Sequence, residues 1–478
     1  MASYAYLLCA AFIVYLLVYD HRHRTSVSIT TWIPVIMLFV LSTRTPLQWM
    51  SAGQDASYGF APDRSGNFLD QLFLASFIGI SFIISLVRGV SWGKVIAANL
   101  ALVVLYAYFT LSVAWSYSPA DSLIRVVKDF GSTVIVISLM WSEKKPLEAI
   151  RAVYVRCAYV LIPLSAVLVR FSAIGKGYSH DGETVFCGAA TTKNTLGELL
   201  LISILFLLWD HVENRRAAGA KQQFWRGITW HLLVLLFLGF WLLEVSQSKT
   251  SLVALLIALA LAFRTGWLAS QSVSRLVFGA ALMYPVLALS IQKLQPIFAP
   301  ILGALGRDAT FTGRTNIWQH ITFNTVNPVI GAGFWNFWGG PGGKAIEGIM
   351  QTGIPNAHDG YLDIYLDGGL IGVFLLACVL IACGRRLIKN LPTDRFTKLK
   401  YAFFIAAIFH NVTESSFARP SGMWFTIVLA LITFPVRQQE VETSPEPEDK
   451  LVRHLPKTKV GTEKFRTMRP PGQKVRTT

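Results

Sequence analysis

Ionisable side chains that could do chemistry stand where the apolar stretches of this sequence begin or end. The basic members of this set are Arg125, Lys128, Lys193, Lys249 and Arg419, and the acidic members are Asp129, Glu198, Glu244, Asp359, Asp363, Asp367 and Glu414. Two histidines, His358 and His410, belong to it as well. Cations suit an anionic group such as a diphosphate, because a guanidinium can donate to two oxygens at once. The set therefore predicts an anion-binding site that also contains a few acids.

His358 is the candidate general base of this set. Histidine side chains change charge near neutral pH, so a neutral imidazole can accept a proton from a reacting hydroxyl. The residue stands in a polar loop just before an apolar stretch, where such a hydroxyl could reach it. Each candidate has a structural alternative. A single loop histidine can be structural, Arg125 and Lys128 can extend to the membrane surface, and Lys249 can be a solvated loop residue.

Two further patterns stay open at the level of sequence. Asp359, Asp363 and Asp367 recur at i, i+4 spacing. This spacing fits a polar helix face, the preference for acids at a helix start, or a divalent-cation site. The glycine-rich run 331–343 contains four aromatic residues between 334 and 338. They fit either an aromatic belt at the bilayer surface or stacking faces for sugar rings.

The composition indicates which elements position these residues. Of 478 residues, 53% are hydrophobic and 15% are charged, whereas a soluble chain carries about 25% charged residues. The mean hydropathy is +0.49. Apolar stretches recur along most of the length, so the predicted fold is all-α, a polytopic transmembrane helical bundle of about 12 to 13 spans.

The predicted organisation is a membrane domain over residues 1–436 and a disordered cytoplasmic tail over 437–478, since the tail has almost no large apolar residues. A long outer loop, 292–360, contains a predicted helix over 312–326. The first 19 residues are interpreted as a membrane helix and not as a signal peptide. The predicted spans are 3–19, 28–43, 69–87, 95–114, 122–141, 152–170, 195–210, 228–245, 250–264, 276–291, 361–384, 402–414 and 420–436.

Basic residues give the predicted orientation. The loop 385–400 holds six lysines and arginines, so the positive-inside rule puts it in the cytoplasm. The ionisable set then gathers at the outer surface, and the N-terminus is outside if the number of spans is odd. The same rule accounts for most of the net charge of +16 without a nucleic-acid partner. Few ionisable residues fall near the bilayer midplane, which disfavours a proton-coupled transporter. The five cysteines have no zinc or disulfide spacing.

Seven short motifs follow one another between residues 110 and 430. They are Trp115-Ser-Tyr-Ser-Pro119, Lys193-Asn-Thr-Leu-Gly197, Ser246-Gln-Ser-Lys-Thr250, Thr312-Gly-Arg-Thr-Asn-Ile-Trp318, Asn327-Pro-Val-Ile-Gly-Ala-Gly333, Ala357-His-Asp-Gly-Tyr-Leu362 and Gly368-Gly-Leu-Ile-Gly372. In order and placement they resemble the O-antigen ligase/polymerase superfamily. The motif sequences are most similar to those of exopolysaccharide polymerases of the succinoglycan type.

This resemblance implies a GT-C-like glycosyltransferase at the periplasmic face of the bacterial inner membrane. Such enzymes transfer a sugar chain from undecaprenyl diphosphate to a hydroxyl of an acceptor. By motif match, Arg314 is the loop arginine that holds the diphosphate and His358 is the base or substrate positioner. Lys249 stands where many members have arginine, which keeps the charge but loses the forked geometry. Asp359 replaces the usual asparagine after the histidine.

The residues and the resemblance together predict an inverting mechanism without metal or cofactor. Arg314 would stabilise the leaving diphosphate, with Lys249, Arg125 and Lys193 as further diphosphate-binding candidates. His358 would accept the proton of the attacking hydroxyl. The predicted supporting residues around it are Asp359, Asp363 and Tyr361, where either aspartate could orient the imidazole.

Four functions remain as alternatives at this point. A polymerase would join lipid-linked repeat units, and a ligase would transfer the glycan to lipid A-core. A flippase or other transporter of lipid-linked oligosaccharides would need polar residues through the membrane centre. A structural partner that recruits a synthesis complex would not need Arg314 or His358. For an enzyme, the expected partners are the lipid-linked oligosaccharide, membrane lipid, and proteins that flip the repeat units or control chain length.

Overall fold

Helices form most of the part of the chain that this computed structural model describes, which comprises residues 2–51, 67–178, 182–217, 227–304, 317–318, 320–321, 326–350, 356–392 and 394–435. In chain order they are α1 (Ala2–His23), α2 (Trp32–Ser42), α3 (Pro46–Ser51), α4 (Phe68–Val87), α5 (Trp92–Ala98), α6 (Leu100–Leu111), α7 (Pro119–Phe130), α8 (Val136–Trp141), α9 (Pro146–Phe171), α10 (Lys193–Ala217), α11 (Trp230–Ser246), α12 (Lys249–Ala262), α13 (Gln271–Ala304), α14 (Pro341–Met350), α15 (Gly360–Asn390), α16 (Arg395–His410) and α17 (Gly422–Leu431). Lys176–Tyr178 and Thr184–Phe186 pair as the antiparallel strands β1 and β2.

Among the described residues, five helices are long and apolar enough to cross a membrane: α1, α4, α9, α10 and α15. The helices α5 and α6, bent by 97° at their junction, provide a sixth if they form one span. The predicted polytopic helical membrane fold is therefore confirmed. The predicted count of about 12 to 13 spans is higher than these five or six, because several apolar stretches form helices of only 10–17 residues.

Two predicted boundaries differ from the structure. The predicted span 122–141 is interrupted, since a π-helical turn at Gly131–Ile135 separates α7 from α8. The predicted outer loop was to begin at 292, but α13 continues to Ala304. The polar residues after 291 lowered the hydropathy there, yet glutamine and lysine are good helix formers. The predicted helix 312–326 falls mostly outside the described residues, and so does the tail 437–478.

The centre of the bundle is an antiparallel pair, α9 and α10, covered by α16 and α17. The rings of Tyr154 and Phe206 stack across this pair with centroids 3.8 Å apart. The Tyr154 hydroxyl donates to Thr426 on α17 over 3.1 Å. Because α9 and α10 run in opposite directions, the start of α10 lies at the same end of the bundle as the end of α9. That end, where residues 193, 249 and 360 lie, is called the site end below.

The helix α15 is broken at Gly369, whose φ is +61° and ψ is −160°, a region open essentially only to glycine. The backbone groups freed by the break pair with the segment 328–333. The Gly333 N–H donates to the Asp367 carbonyl over 2.9 Å, and the Leu370 N–H donates to the Pro328 carbonyl over 2.9 Å. A β-carbon on Gly369 would lie 2.3 Å from the backbone of segment 328–333. Glycines therefore allow two backbones to satisfy each other within the bundle.

The end opposite the site end is held by a buried ion-pair network. It consists of three arginines and three acids: Arg24, Arg151, Arg156, Asp20, Glu148 and Asp210. Arg24 and Arg151 both contact the Asp210 carboxylate at 2.7 Å. Positive and negative charges are equal in number, so each buried charge has a partner. The network joins α1, α9 and α10 and fixes the helices whose other ends carry the candidate site.

Candidate active site

The loop that carries His358 is held by hydrogen bonds to Ala357, the residue before the histidine. The Ala357 N–H donates to the Asp363 carboxylate over 3.1 Å, and the Trp318 indole N–H donates to the Ala357 carbonyl over 2.7 Å. His358 has a φ of +51°, a left-handed conformation that residues other than glycine rarely adopt. Backbone strain of this kind persists only where the surroundings enforce it, and it is common at active sites.

The backbone after His358 is anchored to the turn that follows α16. Asp359 caps α15, and its carboxylate accepts from two N–H groups of the first turn at 2.9 and 3.0 Å. The Gly360 N–H lies 2.8 Å from the Asn411 carbonyl and 3.0 Å from the Glu414 carbonyl. A β-carbon at position 360 would lie 2.4 Å from the Asn411 side chain. Glycine is therefore needed where the loop and this turn meet.

The carboxylate that pairs with the His358 imidazole is that of Glu414. His358 Nδ1 and Glu414 Oε2 are 3.7 Å apart, and the two side chains are 32% and 8% exposed. A carboxylate beside Nδ1 favours the tautomer with its proton on that nitrogen. The lone pair is then on Nε2, where it can accept a proton from a substrate hydroxyl. The pair thus has the composition of a general base with its orienting acid.

A second pair of histidine and glutamate lies buried beneath the first. Glu198 Oε1 is 3.9 Å from His410 Nδ1 and accepts from the Ser416 hydroxyl over 3.2 Å. Ser251 Oγ and His410 Nε2 are 3.2 Å apart. His410 and Glu414 are neighbours on one turn, since the Glu414 N–H donates to the His410 carbonyl over 3.0 Å. A buried polar network therefore connects α10, α12 and the turn that holds Glu414.

Two predicted cations, Lys193 and Lys249, are the first residues of α10 and α12. These helix starts touch, because a β-carbon on Gly197 would lie 2.6 Å from the Ser248 side chain. The Lys249 side chain is exposed and that of Lys193 is partly exposed. Helix N-termini carry partial positive charge, which adds to that of the two lysines. This corner of the site end suits an anionic group near the histidine–glutamate pairs.

Trp335 is contacted by two arginines. The guanidinium carbons of Arg125 and Arg419 lie 5.4 and 5.1 Å from its ring centroid, and Arg125 also donates to its carbonyl. Arg419 is 7% exposed and forms an ion pair with Asp367 over 2.7 Å. In the part of the chain that the structure describes, Arg419 Nε and Nη1 have no hydrogen-bond partner. Arg419 therefore has donors available for a further anionic group.

The supporting residues act on the backbone of the histidine loop. Besides Ala357, the Asp363 carboxylate accepts from the Trp338 indole over 2.7 Å and from the Ser415 hydroxyl. The Tyr361 hydroxyl donates to the Ile408 carbonyl over 3.0 Å, which ties α15 to α16. Among the described ion pairs, the acid that pairs with the His358 imidazole is Glu414, whereas Asp359 caps α15.

The i, i+4 spacing of the three aspartates has three separate explanations. Asp359 is a helix cap, Asp363 is the hydrogen-bond acceptor of the loop, and Asp367 pairs with Arg419. Within the described ranges, no group of three or more His, Cys, Asp or Glu side chains is arranged to hold a metal ion. The aspartates are therefore accounted for by the backbone and ion-pair contacts of the site end.

The aromatic run of the glycine-rich segment is mostly buried. Phe334, Phe337 and Trp338 are 1, 2 and 4% exposed, and only Trp335 is partly open. The Phe334 N–H donates to the hydroxyl of Ser112, which lies just before the motif that begins at Trp115, over 2.9 Å. These rings therefore pack the site end and do not form a belt on the bilayer surface.

Lys193 and Lys249 begin two helices that contact the turn after α16, the turn that also holds Glu414, the partner of His358. Arg125 lies against Trp335. Arg314, the predicted diphosphate ligand, lies outside the described residues. Glu414 and Arg419 gain roles that the sequence did not assign, although both belonged to the polar set. A usable signal existed, because His410 and Glu414 are spaced i, i+4, a separation of about one helical turn.

Comparison with known proteins agrees with the motifs. The family model described as O-Antigen ligase matches residues 232–377. The chain is also 26% identical over 318 residues to the exopolysaccharide production protein ExoQ of Rhizobium meliloti (strain 1021), which covers 62% of this chain and 67% of that protein. Both matches support the resemblance of this chain to the O-antigen ligase/polymerase superfamily. No solved structure matches it significantly.

The region matched by the family model contains much of the candidate site. Residues 232–377 include Lys249, Arg314, His358 and the first half of α15, up to and beyond its break. Arg125, Lys193 and Glu414 lie outside that region. The similarity therefore covers the histidine loop, while its acidic partner and two of the cations come from flanking helices.

Proposed function

We propose that this protein is a glycosyltransferase that polymerises undecaprenyl-diphosphate-linked oligosaccharide repeat units into exopolysaccharide or O-antigen. The reaction would take place at the periplasmic face of the bacterial inner membrane and would invert the anomeric carbon. The observation that carries the proposal is the His358–Glu414 pair beside cationic helix starts in a polytopic membrane protein that resembles this superfamily. The resemblance alone supports only the coarser statement of a polymerase or ligase.

In the proposed reaction, a hydroxyl of one repeat unit attacks the anomeric carbon of a second, lipid-linked chain. The new carbon–oxygen bond forms as the bond to the diphosphate oxygen breaks, and undecaprenyl diphosphate leaves with that electron pair. The hydroxyl proton goes to His358 Nε2, and Glu414 stabilises the resulting imidazolium. Arg314, Lys249, Lys193 and Arg125 are the candidates to stabilise the leaving anion.

The second candidate is an O-antigen ligase that transfers the glycan to lipid A-core. It is favoured by the description of the matching family, O-Antigen ligase. The polymerase is favoured by the name of the relative, an exopolysaccharide production protein. Both use the same donor and base, so they differ in the acceptor. The lipid-linked species that accumulates without the protein distinguishes them: single repeats on the periplasmic side indicate a polymerase, and finished chains indicate a ligase.

Removing the base or the diphosphate ligand should abolish polymer formation. We expect His358→Ala to lower the rate by about 10²- to 10⁴-fold, as loss of a general base does, and Arg314→Ala to have a comparable effect. The assay is polymer formation from lipid-linked repeats in membranes. His320→Ala is the matched control, since His320 is an exposed histidine of the same loop. Full activity in both variants would favour transport or scaffolding.

Activity should also survive removal of divalent metal. The leaving group is already a stable diphosphate, so cationic side chains suffice to stabilise it and no metal is required in the proposed mechanism. The measurement is polymer yield after dialysis against a chelator, with and without added magnesium. Strict dependence on the added ion would contradict the metal-independent mechanism and direct attention back to the aspartates of α15.

A further inference from the structure

A second basic cluster lines a cavity at the end of the bundle opposite the site end. The cavity lies between the last turn of α10, the residues after α12 and the first turn of α16, and its volume is about 50 Å³. The charged residues that line it are Arg216, Arg264, Arg395 and Lys398. We call it the basic cavity. A buried water needs about 10–15 Å³ by the same measure, so the cavity has room for a group several times the size of one water.

Arg264 is the buried member of the cavity lining. It is 7% exposed, and its guanidinium lies 4.9 Å from the ring centroid of Tyr401. Among the described residues, Arg264 Nε and Nη1 have no hydrogen-bond partner. Burial lowers the pKa of this guanidinium, but arginine stays charged at neutral pH. A buried charge with two open donors is unfavourable unless an acceptor pairs with it, and an anion would also neutralise the charge.

The cavity lining has an excess of positive charge. Among the described ion pairs, one carboxylate contacts two of the four cations that line the cavity. Glu213 pairs with Arg216 at 2.9 Å and with Arg395 at 3.5 Å. Both of these arginines are substantially exposed, so their pairing with Glu213 is weak. The lining therefore attracts an anion. Arg264 provides planar guanidinium N–H donors at the bottom of the cavity.

The surroundings place the basic cavity at a membrane surface. Trp267, three residues after Arg264, is 75% exposed, and tryptophan is enriched at the level of the lipid headgroups. The lining comes from loops that the positive-inside rule assigns to the cytoplasmic side. Basic pockets between helix ends on that side suit anionic lipid headgroups. A headgroup phosphate could enter the cavity while its acyl chains stay beside α12 and α13.

We propose that the basic cavity binds the phosphate of an anionic phospholipid, with Arg264 as its principal ligand and Arg216, Arg395 and Lys398 as surrounding cations. The bound lipid joins the ends of α10, α12 and α16, whose other ends carry the candidate site. This site does not depend on the proposed catalytic activity, since it is built from different residues at the other end of the bundle.

The test measures thermal unfolding of the detergent-purified protein during titration with phosphatidylglycerol, phosphatidylcholine or inorganic phosphate. Phosphatidylglycerol should raise the Tm in a saturable manner, because a ligand of the native state stabilises it. Phosphatidylcholine should have no such effect. Arg264→Gln should weaken the phosphatidylglycerol response at least tenfold. Arg275→Gln, at an exposed arginine on the first turn of α13, should leave it unchanged.

Three results would overturn the proposal. Equal responses of wild type and Arg264→Gln would remove Arg264 as the ligand. An equal response to phosphatidylcholine would show that the charge is not recognised. If inorganic phosphate raises the Tm to saturation and phosphatidylglycerol then has no further effect, the cavity binds free phosphate. If Arg264→Gln does not fold, Lys398→Gln with lipid binding counted by native mass spectrometry decides the question in the same way.

Discussion

At the scale of single residues, the proposed chemistry depends on the side chains of His358 and Glu414. Their atoms Nδ1 and Oε2 are 3.7 Å apart, and the glutamate is the more buried of the two. Glu414 is a positioning residue, because it acts on substrate only through the imidazole. The strained backbone of His358 is held by Asp363 and Trp318 through Ala357, so the loop positions the ring through its backbone.

Replacing Glu414 by glutamine should lower kcat by about 10- to 100-fold, less than the loss of the imidazole itself. The amide keeps the shape of the side chain but no longer stabilises the imidazolium. Steady-state kinetics with lipid-linked repeats should give a KM close to that of wild type. Glu244→Gln, an exposed glutamate at the same end, is the control. Combining Glu414→Gln with His358→Ala should cause no further loss, and an additive loss would contradict the pairing.

Residue types and motif spacing were enough to predict His358 and its loop, but they did not predict its partner. Aspartates adjacent in sequence were expected beside the imidazole, whereas the structure uses Asp359 for the helix cap and Asp363 for the Ala357 N–H. Glu414 comes from a different helix end, 56 positions along the chain. Contacts between distant segments follow from helix packing, which local spacing does not encode.

At the scale of elements, the break in α15 positions the histidine loop against the glycine-rich segment. The N–H groups of Gly333 and Leu370 pair across the break, and the Tyr108 hydroxyl donates to the Gly368 carbonyl over 2.7 Å. Backbone groups inside a membrane must be satisfied within the protein, so the two glycine motifs are needed together. The break also directs Asp367 toward Arg419 and hence toward Trp335.

Gly369→Ala should destabilise the folded protein by at least about 2 kcal/mol, combining the cost of a glycine-only conformation with that of overpacking. The new β-carbon would lie 2.3 Å from the Val329 backbone. Gly79→Ala in α4 is the matched control, because a β-carbon there would meet nothing within 4 Å. Thermal unfolding in detergent measures the difference. Similar Tm values for the two variants would mean that the break is not required.

Hydropathy predicted the existence of the long helices but not their interruptions. The segment 361–384 was expected to be one continuous span, and its break at Gly369 depends on a partner segment about forty residues earlier. The π-helical turn at Gly131–Ile135 also begins at a closely packed glycine, since a β-carbon on Gly131 would lie 2.7 Å from Ile78 on α4. Both interruptions lie at glycines where two segments pack closely, a feature that hydropathy windows do not detect.

At the scale of the whole molecule, the two ends of the bundle differ in how their charges are arranged. The site end has the histidine–glutamate pairs and the cations Lys193, Lys249 and Arg419. The opposite end has the balanced ion-pair network and the basic cavity. The positive-inside rule predicts that the opposite end faces the cytoplasm, because the loop 385–400 belongs to it. The site end would then face the periplasm, where lipid-linked repeats are available after they cross the bilayer.

This orientation predicts the labelling of two single cysteines in a background without the five native ones. Ala345→Cys lies on an exposed face of α14, and Asn390→Cys lies at the exposed end of α15. In intact cells with a permeable outer membrane, a maleimide that does not cross the inner membrane should label position 345 and leave position 390 unlabelled. Position 390 should react once the inner membrane is opened, which controls for its accessibility. The reverse pattern would place His358 in the cytoplasm, away from a periplasmic substrate, and would contradict the proposed polymerase however well the site residues fit the chemistry.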